Sequence, residues 1–115
     1  MAKQAILSID QGTTGSTALV VLLGDEPRVV GRSTVDFTQH YPQSGWVEHD
    51  LDEVWSSVRK ACQGALAKAS GEVDPKDLIA IGITNQRETL CAFGRKDSAP
   101  RHKAIVWQCR RSTEI

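Results

Sequence analysis

The feature that most constrains this chain is a pair of short apolar runs hinged on a polar turn. Ala5 to Ile9 is apolar apart from Ser8 and stops at Asp10; Gly12-Thr13-Thr14-Gly15 follows, and Ser16 to Leu23 is again rich in apolar and β-branched residues. Runs this short, bounded by glycine and a carboxylate, have the length of strands rather than of helices. Glycine opens backbone angles that side chains forbid, and threonine hydroxyls serve the local backbone. The chain is therefore expected to reverse at Gly12–Gly15 and lay the second run back on the first as a hairpin buried on both faces.

The remaining pattern adds to that hairpin. Gly24-Asp25-Glu26-Pro27 closes the second strand, and Arg28 to Thr38 alternates, with Val29, Gly31, Ser33, Val35 and Phe37 on one face. A polar stretch leads to Asp50, which is placed to cap a helix while Glu53 reaches back in a capping-box arrangement. Leu51, Val54, Trp55, Val58, Cys62, Ala65, Leu66 and Ala69 recur at helical spacing as far as Ser70-Gly71, a stripe expected to pack on the sheet. In the segment before it, Trp46 is expected to wedge the helix start against the sheet. Leu78–Ile83 predicts a fourth strand and Thr89–Phe93 a fifth. Gly94–His102 reads as a charged turn, Ala104–Trp107 as a brief apolar segment, and Glu114-Ile115 as the opening of another helix. A three-strand antiparallel meander, then a helix, then a strand is an α/β order in which the helix supplies the crossover a parallel fourth strand needs. That order resembles half of the ribonuclease H-like, actin-type ATPase fold.

Composition narrows the function. At 115 residues the chain holds one domain at most, with little room for a cleft between two lobes. Fourteen basic residues balance fourteen acidic ones, which leaves no overall field to attract nucleic acid or an anionic membrane. The run Ala18–Leu23 falls far below the ~20 residues of a membrane helix, and Asp10 interrupts the apolar start of the chain too early for a signal peptide. Cys62, Cys91 and Cys109 are odd in number and widely spaced, which suits free thiols in a reducing, cytoplasmic setting. His40, His49 and His102 have no zinc-like spacing and are assigned surface or packing roles.

Three segments can carry chemistry. In Asp10-Gln11-Gly12-Thr13-Thr14-Gly15-Ser16 the glycines let backbone amides approach phosphate oxygens, Thr13, Thr14 and Ser16 add hydroxyls, and Asp10 can hold a hydrated Mg²⁺. A polar hairpin that needs glycine only to turn accounts for the same residues, and no Gly-Lys-Ser/Thr phosphate loop is present. Asn85-Gln86-Arg87-Glu88 ends an apolar strand, where open sheets carry their ligands; Glu88 can accept from polyol hydroxyls and Arg87 can donate to them. A solvated strand end is the plain alternative. In Trp107-Gln108-Cys109-Arg110-Arg111 the indole can pack on the carbons of a small polyol, or simply in the core.

Taken together, IDQGTTGS, YPQSGWVEHD, GITNQRET and IVWQCRR, in this order along nearly the whole chain, resemble the FGGY family of carbohydrate kinases, and within it the branch that acts on glycerol. The resemblance implies ATP-dependent phosphorylation of glycerol to sn-glycerol 3-phosphate, with ATP and Mg²⁺ as cofactors and a homo-oligomeric whole protein. It implies that Asp10, Gly12, Thr13, Thr14, Gly15, Ser16 and Thr17 border the ATP phosphates, with Asp10 near the metal, and that Arg87, Glu88 and Trp107 contact glycerol. It also implies that residues 1–115 are an incomplete amino-terminal domain. The carboxylate that takes the hydroxyl proton and the adenine pocket then lie beyond Ile115, and the chain alone is inactive. Gly15 and Thr17 stand where serine and arginine are more usual in the family, and the missing cation implies weaker nucleotide binding. Two alternatives stay open: another polyol or sugar as substrate, or a non-catalytic, actin-like domain that binds a partner protein.

Overall fold

The computed structural model describes residues 2–113, so the helix start expected at Glu114-Ile115 lies outside the described residues. Strands β1 (Ala5–Gln11), β2 (Gly15–Leu22) and β3 (Arg28–Asp36) form the expected meander. After β4 (Glu48–His49), helix α1 (Leu51–Ala69) crosses over to β5 (Leu78–Asn85), and β6 (Ala104–Ile105) follows. The main sheet has the order β3-β2-β1-β5, with β5 parallel to β1 and the other pairs antiparallel. Two-residue strands β4 and β6 pair separately, His49 opposite Ala104.

The core lies between one face of the meander and α1. Ala5, Leu7, Ala18 and Val20 come from the sheet, Ala61, Ala65 and Ala69 from the helix, and Val73 closes the end. The buried face of α1 is Ser57, Ala61, Ala65 and Ala69, one small residue per turn; of the expected stripe it takes in Ala65 and Ala69, with Cys62 and Leu66 packed against it. Small side chains allow the helix to come down onto β3. A Cβ on Gly31 would stand 2.1 Å from the Ala65 carbonyl oxygen, and one on Gly64 would stand 2.4 Å from Ser33 Oγ. Ser16 Oγ on β2 and Ser57 Oγ on α1 hydrogen bond across this seam at 2.7 Å. The bulky residues Leu51, Val54, Trp55, Val58 and Cys62 instead line an apolar groove of about 680 Å³ whose other wall is Leu7, Ile9, Ile81 and Ile83. Trp55 is 62% exposed there.

Three further expectations need correction. The alternation on β3 breaks where the register with β2 shifts between Val20 and Val21: Val20 faces Gly31 but Val21 faces Val29. The extra residue, Val30, packs against the core while Val29 turns out to solvent, because a bulge moves every side chain before it to the other face. Asp50 does cap α1, its Oδ1 accepting from the amides of Asp52 (2.9 Å) and Glu53 (3.2 Å), but the Glu53 carboxylate faces His40 Nε2 at 3.3 Å. A reciprocal capping box occurs at Asp74 and Asp77, around the short 3-10 turn Pro75–Asp77 that leads into β5. The expected strand Thr89–Phe93 is absent. Leu90 and Phe93 make only isolated bridges, to Ile105 and Pro100, because Gly94–Ala99 folds into its own turn and Pro100 has no amide to extend a ladder.

Candidate functional site

Parallel pairing places the ends of β1 and β5 side by side, Gln11 opposite Asn85, so the turn after β1 and the polar run after β5 emerge at the same edge of the sheet. The turn closes with the Gly12 amide donating to the Gly15 carbonyl at 2.9 Å. Gly15 is required by the approach of β3, because a Cβ there would lie 2.8 Å from the Val35 carbonyl oxygen and 2.6 Å from Asp36 Oδ1. A serine at this position conflicts with the present course of β3.

A cleft of about 330 Å³ opens at this edge, lined by Thr13, Asn85, Gln86, Arg87, Glu88 and Trp107. It joins one residue of the phosphate-turn candidates to all three of the polyol candidates. Trp107 is half exposed, and its indole Nε1–H donates to Thr13 Oγ1 at 3.0 Å. The Thr13 hydroxyl thereby accepts from the indole and keeps its own proton to donate. Glu88 has φ of 63°, the left-handed region that a non-glycine residue occupies at a cost of about 1–2 kcal/mol. Such backbone strain persists where the surrounding structure over-determines it.

The other turn residues divide between two faces of the sheet. Asp10 is exposed and sits opposite Thr17 on β2 and Thr84 on β5, with Thr34 opposite Thr17 on β3. A carboxylate thus lies in a row of three hydroxyls on the face away from α1. Thr17 Oγ1 is hydrogen bonded to Thr34 Oγ1 at 2.8 Å. Ser16 points the opposite way, fully buried, and its hydroxyl is committed to Ser57. The side-chain donor that the sequence reading gave Ser16 is therefore unavailable to a phosphate, since strand alternation turns it into the helix seam. Thr14 is exposed at the tip of the turn, its carbonyl accepting from the Phe37 amide at 3.2 Å.

Behind the cleft lies a polar network that spacing in the sequence does not reveal. His49, 0% exposed, has Nε2 at 2.7 Å from Gln39 Oε1 and Nδ1 at 3.3 Å from Gln86 Nε2. Gln39 Nε2 donates to the Thr13 carbonyl at 3.0 Å, and Gln86 Nε2 to the Gly12 carbonyl at 3.2 Å. Thr89 Oγ1 donates to Gln86 Oε1 at 2.7 Å and lies 3.3 Å from the Trp107 amide, from which it accepts. Burial holds the His49 imidazole below its ordinary pKa, the neighbouring His40 adds to this, and Glu53 opposes it. The segment after Trp107 is fastened by Arg111, which donates to Glu48 Oε2 at 2.7 Å and lies 3.9 Å above the Trp46 ring. Trp46 thus stacks under a guanidinium. Burial is the largest influence on the Cys109 thiol and raises it, but hydrogen bonds from Arg111 and the Val47 backbone, together with the Arg111 charge, leave it below its usual pKa.

With this geometry in view, the class is defined by comparison: residues 5–115 match the N-terminal domain of the FGGY family of carbohydrate kinases, and the chain belongs to that family. It is 50% identical over 110 residues to a glycerol kinase of Brucella ovis, which covers 96% of this chain and 21% of that protein. A glycerol kinase of Halothermothrix orenii is 46% identical over 115 residues, 100% of this chain and 22% of that protein. The crystal structure of Plasmodium falciparum glycerol kinase with ADP matches with a TM-score of 0.80 at 30% identity, over 95% of this chain and 21% of that one. The α/β arrangement is that of the FGGY sugar kinases, the actin-type ATPase fold. The chain spans 21–22% of the length of the two glycerol kinase relatives.

Proposed function

We propose that this chain contributes part of the active cleft of a cytoplasmic kinase that transfers the terminal phosphoryl group of ATP to glycerol, giving sn-glycerol 3-phosphate. The observation that carries this reading is the single cleft shared by Thr13, Arg87, Glu88 and Trp107. Glu88 accepts from the glycerol hydroxyls, Arg87 donates to their oxygens, and the exposed face of Trp107 covers the carbon chain. Thr13 stands at the junction with the nucleotide, where the Thr13 and Thr14 hydroxyls and the backbone amides between Gly12 and Gly15 receive the phosphates. Names of the relatives agree with glycerol as substrate.

Asp10 fits a hydrated Mg²⁺: it is an exposed carboxylate among hydroxyls, an all-oxygen environment of the kind this ion takes with several waters retained. When bound, the ion neutralises charge on the phosphates. What this chain's own residues do is orient: they hold the hydroxyl-bearing substrate beside the turn that grips the phosphates, and positioning supplies most of the catalysis in phosphoryl transfer. The group that removes the hydroxyl proton belongs to residues beyond Ile115, and so does the adenine pocket. Residues 1–115 are accordingly an incomplete amino-terminal domain, inactive alone, whose further layers cover the apolar groove beside α1.

The test is glycerol-dependent ADP release by the full-length protein that carries this sequence, with Glu88→Gln beside it. Removing the charge from one acceptor is expected to lower kcat/KM about 10- to 150-fold, from roughly 1.5–3 kcal/mol for a hydrogen bond to a charged group. A full-length protein inert towards glycerol, or a variant that matches it, overturns the reading.

A further inference from the structure

We infer that His49 is a positioning residue that locks the phosphate turn to the substrate cleft through two glutamines, an inference that rests on the function proposed above. The direction of each hydrogen bond follows from groups whose role is fixed. Backbone carbonyls only accept, so the ends of Gln39 and Gln86 that face the Thr13 and Gly12 carbonyls, at 3.0 and 3.2 Å, are their amide nitrogens. Gln39 therefore turns its Oε1 to His49, and Nε2 of the imidazole, 2.7 Å away, carries the proton. Gln86 turns its Nε2 to His49, and Nδ1, 3.3 Å away, accepts. Both ring nitrogens are thus specified, and only the neutral Nε2–H tautomer satisfies them together.

The ring itself has no freedom. His49 lies in β4, paired to Ala104, immediately before the cap residue Asp50, and the Phe37 ring packs against it in a T-shaped contact with ring centroids 4.8 Å apart. From this fixed point one arm reaches the Thr13 carbonyl. The other reaches the Gly12 carbonyl and passes through Gln86 and Thr89 to the Trp107 amide. An apolar side chain of similar size fills the same space but holds neither arm, and it takes from Gln39 Oε1 its donor and from Gln86 Nε2 one of its acceptors. Both arms hold the turn, but only the Gln86 arm continues to Trp107, so the glycerol side feels the loss of that arm alone.

The experiment uses the full-length protein with His49→Asn and His49→Gln. Asparagine reproduces the Nδ1 position and keeps the Gln86 arm; glutamine reaches the Nε2 position and keeps the Gln39 arm. His49→Asn is expected to raise KM for ATP about fivefold, the worth of one neutral hydrogen bond, with KM for glycerol unchanged. His49→Gln is expected to raise KM for glycerol by at least as much. A second measurement needs no variant: nitrogen chemical shifts of selectively ¹⁵N-histidine-labelled wild type report the tautomer, with Nε2–H expected and Nδ1–H overturning the network. An active wild type whose two variants shift both KM values equally, or neither, overturns the positioning role alone. A wild type inert towards glycerol overturns the proposed function and the role with it.

Discussion

The two long sides of α1 meet the sheet in opposite ways. Towards β2 and β3 the helix presents Ser57, Ala61, Gly64, Ala65 and Ala69, and backbone approaches backbone closely enough that Gly31 has no room for a methyl group. Towards β1 and β5 it presents Leu51, Val54, Trp55, Val58 and Cys62, and an open groove remains between them and Ile81 and Ile83. The side richer in hydrophobic surface is the looser one. Close packing depends on shape as well as on apolar area: small residues in register let two backbones interlock, whereas bulky ones facing each other need a further layer between or above them.

This contrast can be broken by substitution, and the largest effect belongs to the seam. Gly31→Ala puts a Cβ 2.1 Å from the Ala65 carbonyl oxygen, so α1 must move or β3 must bend. Destabilisation of about 1–3 kcal/mol or more is expected in chemical denaturation, the range for overpacking. An unchanged midpoint refutes the close seam. Next comes Ser57→Ala, which removes the partner of the fully buried Ser16 hydroxyl and is expected to cost about 1–3 kcal/mol. Adding Ser16→Ala should recover part of that loss, because removing both partners leaves nothing unsatisfied; a double variant less stable than the single one argues against the pair. In residues 1–115 alone, where the groove is open, Trp55→Ala has the smallest effect, within about 0.5 kcal/mol, since the indole is mostly exposed. A loss of about 3–5 kcal/mol, as for a core tryptophan, means that the groove side is the packed one.

Much of the fold was legible because it is local. The meander, the span of α1 and the Asp50 cap follow from runs, turns and capping chemistry within a few residues of one another. The face that α1 buries was legible only in part: Ala65 and Ala69 belong to the periodic stripe but Ser57 and Ala61 do not, because hydrophobic periodicity ranks residues by apolarity and the seam selected them by size. The bulge at Val30 was equally hidden, since nothing in Arg28–Asp36 alone marks where its partner slips register. Thr89–Phe93 has strand-like composition but no neighbour long enough to pair with it.

The site divides in the same way. From sequence alone came its inventory: the glycine and threonine turn, the Arg87-Glu88 pair and Trp107, because residue types with the right donors, acceptors and apolar faces are chemical facts of the chain. Only tertiary structure decided which of them meet. Parallel pairing of β5 on β1 brings Thr13 to Arg87 and Glu88, strand alternation takes the Ser16 hydroxyl away, and His49 becomes the link between Gln39 and Gln86. The contacts joining Thr13, His49, Gln86 and Trp107 run between segments far apart in the chain. Local preferences carry no information about such distances; the packing of the sheet, the helix and the β4–β6 pair creates them.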